Sequence, residues 1–225
     1  PDDDGGFLRQ YIEARVEDNP SEDAAAVRRR VLGLGNDAES RALLESDWDA
    51  PIGEFFTMYR EDKHVTPSLK PPAHWFKFRT FDWGSAEPAC CLWWCVSDGV
   101  SFRDSLGRER WFPAGALIAY REWYVCNERA PSKGLELSNE EMADGIRERT
   151  EEPDCVLTVT DSKPFQGVGM KKGGTKYTPA DIFREHGVPL QLGNCARVHG
   201  WSQLRDRLIG VDGFPMLYLA EDCYY

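Results

Sequence analysis

The rhythm of apolar and polar positions changes near residue 72. Beyond it, short runs of aromatic and β-branched residues recur between turn signals. The segment 74–84 is rich in aromatics and closed by Gly84, so it reads as a strand. Ala89–Val96 is a near-continuous apolar run ended by Ser97-Asp98-Gly99, which predicts a second strand buried on both faces. Residues 101–113 are polar and read as an extended hairpin or loop, and 116–125 is a third strand. Short connections make these three an antiparallel meander. Ser138 and Glu141 form an S-x-x-E capping box that opens a helix running to about Arg149. A fourth strand follows at 155–160, with β-branched residues at most positions. Thr178-Pro179 caps a helix ending at His186-Gly187, and 188–192 is a short fifth strand. A helix over 198–209, interrupted near its start by Gly200, leads to a last strand at 216–219. The order β-β-β-α-β-α-β-α-β predicts an α/β fold, a mixed sheet with helices on its faces.

Before residue 72 the signals are helical. Ser21 can cap a helix with Glu22 and Asp23 in its first turn and Arg28, Arg29 and Arg30 in its last, an order that suits the helix dipole. Asn36 and Glu39 can start a second short helix that ends before Asp49-Ala50-Pro51. Lys63 to Pro72 carries Pro67, Pro71 and Pro72 and reads as a linker. The expected organisation is a helical arm and linker over 1–72 and one domain over 73–225.

Composition narrows the class. The 225 residues are 41% hydrophobic and 29% charged, the balance of a folded protein, and 8 Trp, 8 Tyr and 11 Phe exclude disorder throughout. No apolar run approaches the ~20 residues that span a bilayer. The opening Pro1-Asp2-Asp3-Asp4-Gly5-Gly6 reads as a cut inside a longer protein. A net charge of −11 argues against coating nucleic acid by bulk attraction, though not against a local basic surface. Seven cysteines, an odd number set mostly in apolar runs with no Cys-x-x-Cys, fit free thiols in a reducing compartment better than disulfides or zinc. His64, His74, His186 and His199 show no ligand spacing, and no phosphate loop or nucleophile elbow is present.

Two aspartates occupy similar places. Asp82 lies late in the first strand and Asp161 directly follows the fourth. If these strands are neighbours their backbones lie ~4.8 Å apart. The carboxylates could then bracket a hard cation such as Mg²⁺, and a third could complete a pair of sites. Spacing alone favours the plainer reading, in which Asp82 terminates a strand and Asp161 caps a turn. Glu122 on the third strand could face such a site, or face solvent or an arginine. Lys163, Lys171, Lys172 and Lys176 fall in a Gly-rich stretch without an acid, either a DNA-contacting loop or a solvated one. Arg197 and Arg205 are weaker candidates for the same role.

Phe81-Asp82-Trp83-Gly84 and Thr160-Asp161-Ser162 resemble the nuclease domain of the phage terminase large subunit, the DNA-packaging motor protein. Arg41-Ala42-Leu43-Leu44-Glu45-Ser46-Asp47-Trp48-Asp49 with Gly53-Glu54-Phe55-Phe56, and Arg197-x-x-Gly200-Trp201 with Leu204-Arg205-x-x-Leu208, resemble the same family. The resemblance implies a ribonuclease H-like fold and a metal-dependent endonuclease that cuts concatemeric double-stranded DNA by a two-metal reaction. It makes Asp82 and Asp161 the catalytic metal ligands, with Mg²⁺ or Mn²⁺, and Lys163, Lys171, Lys172, Lys176 and Arg197 the DNA contacts. It implies an ATPase domain outside this sequence, small-subunit and portal partners, no membrane, and the host cytoplasm. The family's third aspartate, on a helix after the last strand, has no counterpart before Tyr225. The alternatives are a non-catalytic docking module of the same motor and another ribonuclease H-like nuclease such as a resolvase.

Overall fold

A computed structural model describes residues 23–32, 56–104, 107–167, 169–170 and 176–223. The chain forms two compact units, Pro1–Thr57 and Met58–Tyr225. In the first, helix α1 spans Ala24–Leu32. Asp23, expected inside the first turn, instead precedes the helix, and its Oδ1 accepts the Ala25 N–H at 3.0 Å. Ser21 and the expected helix over 36–49 lie outside the described residues.

The second unit begins before the proline-rich stretch read as a linker. Helix α2 (Glu61–His64) leads into strand β1 (Val65–Thr66), which joins the main sheet by pairing parallel with its last strand. The boundary expected at residue 72 therefore falls inside the second unit. The prolines follow β1 rather than ending the arm. His64 is buried, and its Nε2 hydrogen-bonds the Leu208 carbonyl at 2.9 Å, tying this segment to the late helix.

The sheet strands are β2 (Phe76–Asp82), β3 (Ala89–Val96), β6 (Leu117–Asn127), β7 (Ala130–Gly134), β8 (Thr158–Thr160), β11 (Leu190–Leu192) and β12 (Leu217–Ala220), with β1. The order across the eight-stranded sheet is β1-β12-β6-β3-β2-β8-β11, and β7 pairs with β6. β2, β3 and β6 form the expected antiparallel meander. β8 runs parallel to β2, β11 parallel to β8, and β12 parallel to β6. Two short ribbons stand apart, β4 (Phe102–Arg103) with β5 (Glu109–Arg110), and β9 (Gly169–Met170) with β10 (Lys176–Tyr177). This mixed α/β architecture is ribonuclease H-like.

Several elements differ from the sequence expectation for local reasons. β3 is buried along one face, Ala89, Cys91, Trp93 and Cys95, and only half-buried along the other. β8 covers three residues because a turn, with Cys155 N–H bonded to the Glu152 carbonyl, occupies the segment before it. Helix α5 (Arg197–Ile209) runs through Gly200, whose N–H keeps its helical bond to the Ala196 carbonyl.

Helix α3 (Asn139–Arg149) carries the expected capping box of Ser138 with Glu141, and at the expected cap of helix α4 (Pro179–Glu185) Thr178 forms a capping box with Asp181 as well. Their apolar sides supply Met142, Ile146 and Phe183 to the core beneath β2 and β3, where Phe183 meets Phe81 at 5.3 Å. Thr150, just past α3, is the polar junction of this layer. Its Oγ1 accepts from Arg79 Nη1 at 2.8 Å and from Trp93 Nε1 at 3.0 Å, while its hydroxyl donates to the Ile146 carbonyl. Thr150→Val keeps the shape and strands two buried donors, one of them charged. Chemical denaturation is expected to show a loss of about 2–4 kcal/mol, well above that of an isosteric surface change.

Candidate active site

Parallel pairing of β2 with β8 decides where the acids go. Arg79 lies opposite Thr158, Thr80 opposite Val159 and Phe81 opposite Thr160. The next residues along the two strands are Asp82 and Asp161, at the same edge of adjacent strands ~4.8 Å apart. Both line one cleft of about 360 Å³. Thr80, Leu92 and Val159 form its floor, Cys90 one wall, and Gly193, Asn194 and Cys195 the other.

The two carboxylates differ. Asp82 ends β2, is exposed, and has no hydrogen-bond or ion-pair partner among the described residues. Asp161 is half-buried, and its Oδ1 accepts the Lys163 N–H at 3.1 Å. That bond is an Asx turn, which fixes the side chain and leaves Oδ2 for another partner. Beside them, burial first, then the nearby Glu122 and Asp82, pushes the Cys90 thiol up to about 12. Cys90 therefore meets the carboxylates as a neutral group.

The far wall is a close backbone approach. Gly193 N–H donates to the Thr160 carbonyl at 2.8 Å, and a Cβ on Gly193 would lie 2.8 Å from Val159 Cγ1. Asn194 Oδ1 accepts the Ala196 N–H and turns the chain into α5. The sequence reading missed this wall. Its only signal was a Gly-Asn turn after a short apolar run.

Asp82 and Asp161 are thus brought together, and the other candidates are not. Glu122, on β6 opposite Leu92, is half-buried and stands a strand beyond Cys90. Asp154 pairs with Lys77 at 3.1 Å, and Asp222 is exposed. Lys163 is exposed two residues after Asp161. Lys171 and Lys172 lie outside the described residues. Lys176 is on β10 and Arg197 opens α5, with their side chains outside the description; Arg205 is exposed on α5. None of the four histidines lines the cleft. Among the described residues no three His, Cys, Asp or Glu side chains gather as a metal centre.

As a donor set, two carboxylates without a basic partner suit a hard cation such as Mg²⁺ or Mn²⁺, which fills its remaining positions with water and phosphate oxygens. Among the described residues no third acid joins Asp82 and Asp161 to serve a second cation.

No family model matches the chain, and no curated protein matches it. Solved structures do. The large terminase from a thermophilic bacteriophage aligns over 93% of this chain and 43% of its own, with a TM-score of 0.53 and 15% identity. The same phage protein in complex with ADP gives 0.52 and 14% over 93% and 44%. The P22 large terminase nuclease domain aligns over 76% of this chain and 74% of its own, with a TM-score of 0.50 and 15% identity. The chain thus spans less than half the length of the thermophilic phage's terminase. It shares the fold of a terminase nuclease domain.

The cysteines offer a direct check on the cleft. Cys195 is exposed, whereas burial pushes Cys90 and Cys95 up to about 12 and raises Cys91 further. With iodoacetamide at pH 8, peptide mass mapping is expected to show Cys195 alkylated at least about tenfold faster than these three.

Proposed function

We propose that this chain is the nuclease module of a terminase large subunit, a metal-dependent endonuclease acting on double-stranded DNA. The observation that carries the reading is the juxtaposition of Asp82 and Asp161 at adjacent strand ends in one cleft, on a fold shared with terminase nuclease domains. On this reading the first unit, Pro1–Thr57, belongs to the arm from a motor ATPase domain, and Met58–Tyr225 is the nuclease domain. The small subunit, the portal and the ATPase domain are its partners, and the host cytoplasm its place of work. No helix among the described residues is long and apolar enough to cross a membrane.

Asp82 and Asp161 would hold Mg²⁺ or Mn²⁺, which when bound neutralises phosphate charge and lowers the pKa of a coordinated water. The protein's own part is placement. Asp161 is held by its turn to Lys163, so one oxygen keeps a fixed direction. Asp82 lines the cleft at the end of β2, and no side-chain hydrogen bond or ion pair engages its carboxylate among the described residues. The neutral Cys90 thiol adds no further negative charge. The Lys163 ammonium, just past Asp161, offers positive charge to the DNA backbone beside the cut. Lys171, Lys172, Lys176 and Arg197 extend that contact. A two-metal reaction needs a third acid beyond those described. The absence of a third ligand among the described residues is also what a non-catalytic docking module of the motor would show.

Cleavage of supercoiled plasmid in Mn²⁺ or Mg²⁺ separates these readings. Asp82→Asn and Asp161→Asn are each expected to lower the nicking rate at least about 100-fold without lowering Tm, and chelation to abolish it. Full activity in both variants overturns the assignment. For binding, each Lys→Ala change at 163, 171, 172 or 176 is expected to weaken DNA affinity across sequences alike. The slope of log affinity against log salt should fall by about one per lysine, read by fluorescence anisotropy.

A further inference from the structure

The loop that follows Asp82 is held by a distant part of the chain. Residues 83–88 join β2 to β3, and the segment from Gly134 to Asn139 closes on them at three points. Gly134 N–H donates to the Ala86 carbonyl at 2.8 Å, and Glu136 N–H to the Ser85 carbonyl at 3.2 Å. Trp83, the residue after Asp82, donates its Nε1–H to Asn139 Oδ1 at 2.9 Å. The approach leaves no room for a side chain. A Cβ on Gly134 would clash with the Ser85 carbonyl and lie 2.6 Å from that of Glu87. The loop cannot simply retreat, because it is folded on itself: a Cβ on Gly84 would lie 2.6 Å from the Glu87 carbonyl and 2.8 Å from that of Pro88. Glu136 sits in the left-handed region at φ 53°, a conformation that costs a non-glycine residue and persists where its surroundings hold it.

We infer that the Gly134–Asn139 segment is a brace that fixes the Asp82 carboxylate for cation binding, with Gly134 as its positioning residue. The inference rests on the reading of Asp82 and Asp161 as cation ligands. Asp82 has no side-chain partner of its own among the described residues, so its direction depends on the backbone that carries it. Toward β3 that backbone is paired with Cys90; beyond Trp83 it is the braced loop. Removing the support behind a metal ligand lowers metal affinity about 10–100-fold. The brace thus makes the end of the β6–β7 hairpin part of the site, although it contributes no ligand.

The test is a Mn²⁺ titration of the purified chain, read twice: by electron paramagnetic resonance for bound metal, and by plasmid nicking rate. Gly134→Ala is expected to raise the half-saturating Mn²⁺ concentration about tenfold in both readouts. Asn139→Ala, which removes one bond at a position where alanine suits the helix, is expected to raise it about threefold, and it serves if Gly134→Ala does not fold. Ser132→Ala, exposed on β7, should leave it unchanged. If either brace variant folds but keeps the wild-type half-saturation, with only the active fraction reduced, the brace is structural and the inference is overturned. If the wild type binds no Mn²⁺, or Asp82→Asn binds it as well as wild type, the ligand assignment itself fails, and the brace with it.

Discussion

The parallel ladder between β2 and β8 is the constraint on which the rest depends. It begins where the Arg79 N–H meets the Leu157 carbonyl at 2.9 Å and runs to Phe81 opposite Thr160. Because strand side chains alternate, a slip of one residue would carry Arg79 and Phe81 from the buried face to the open one and turn Asp82 away from the cleft. Burial of Arg79, 3% exposed, makes such a slip costly. The guanidinium has acceptors only in the native register, Thr150 Oγ1 and the Val156 carbonyl.

Three cations of the sheet extend this lock to the whole connection between α3 and β8. Lys77 Nζ, on a side chain only 1% exposed, reaches the Ala73 and Trp75 carbonyls and Asp154. Arg121, on β6, pairs with Glu152 at 3.0 Å and Glu151 at 3.4 Å and donates to the Arg149 carbonyl. Arg79 takes Thr150 and Val156. Residues 149–156 are therefore pinned from two strands at once, and β8 enters the sheet with little freedom of register. Buried ion pairs are poor sources of net stability, but one misplaced leaves an uncompensated charge in the interior. Here that penalty falls on the wrong strand pairing, which is how a short β8 of three residues can still be placed uniquely.

Much of this was legible in the sequence because its signals are local. The capping box at Ser138, the cap at Thr178-Pro179, the β2–β3–β6 meander and the two aspartates each follow from a few adjacent residues. What the sequence hid was non-local. β1 is two residues long, and only its pairing with β12 makes it a strand. The stretch 155–156 has strand composition, yet the turn at Glu152–Cys155 and the Arg79 bond to Val156 hold it out of the ladder. Gly193 and Gly134 look like ordinary turn glycines; their meaning lies in what a side chain would strike, Val159 in one case and the loop after Asp82 in the other. Asp82 and Asp161 could be named from sequence, but neither the shared cleft nor the neutral Cys90 beside them could, since both depend on strand order.

The distribution of charge points the same way. In a chain of −11, the more buried acids have partners: Asp104 is paired with Arg108 and Arg110, Glu152 with Arg121, Asp144 with Arg147. Among the described residues Asp82 has no side-chain partner, and it stands at a cleft edge next to a second carboxylate already held by a backbone N–H. Two like charges on neighbouring strands repel each other, and they repel an incoming phosphate more strongly. A structural role at the cleft would be better served by pairing Asp82, as the fold pairs Asp104 and Glu152, or by a neutral residue. On the proposed reading, a cation held between the carboxylates and a phosphate would make the arrangement favourable, and the same two groups that repel DNA without metal would admit it with metal bound.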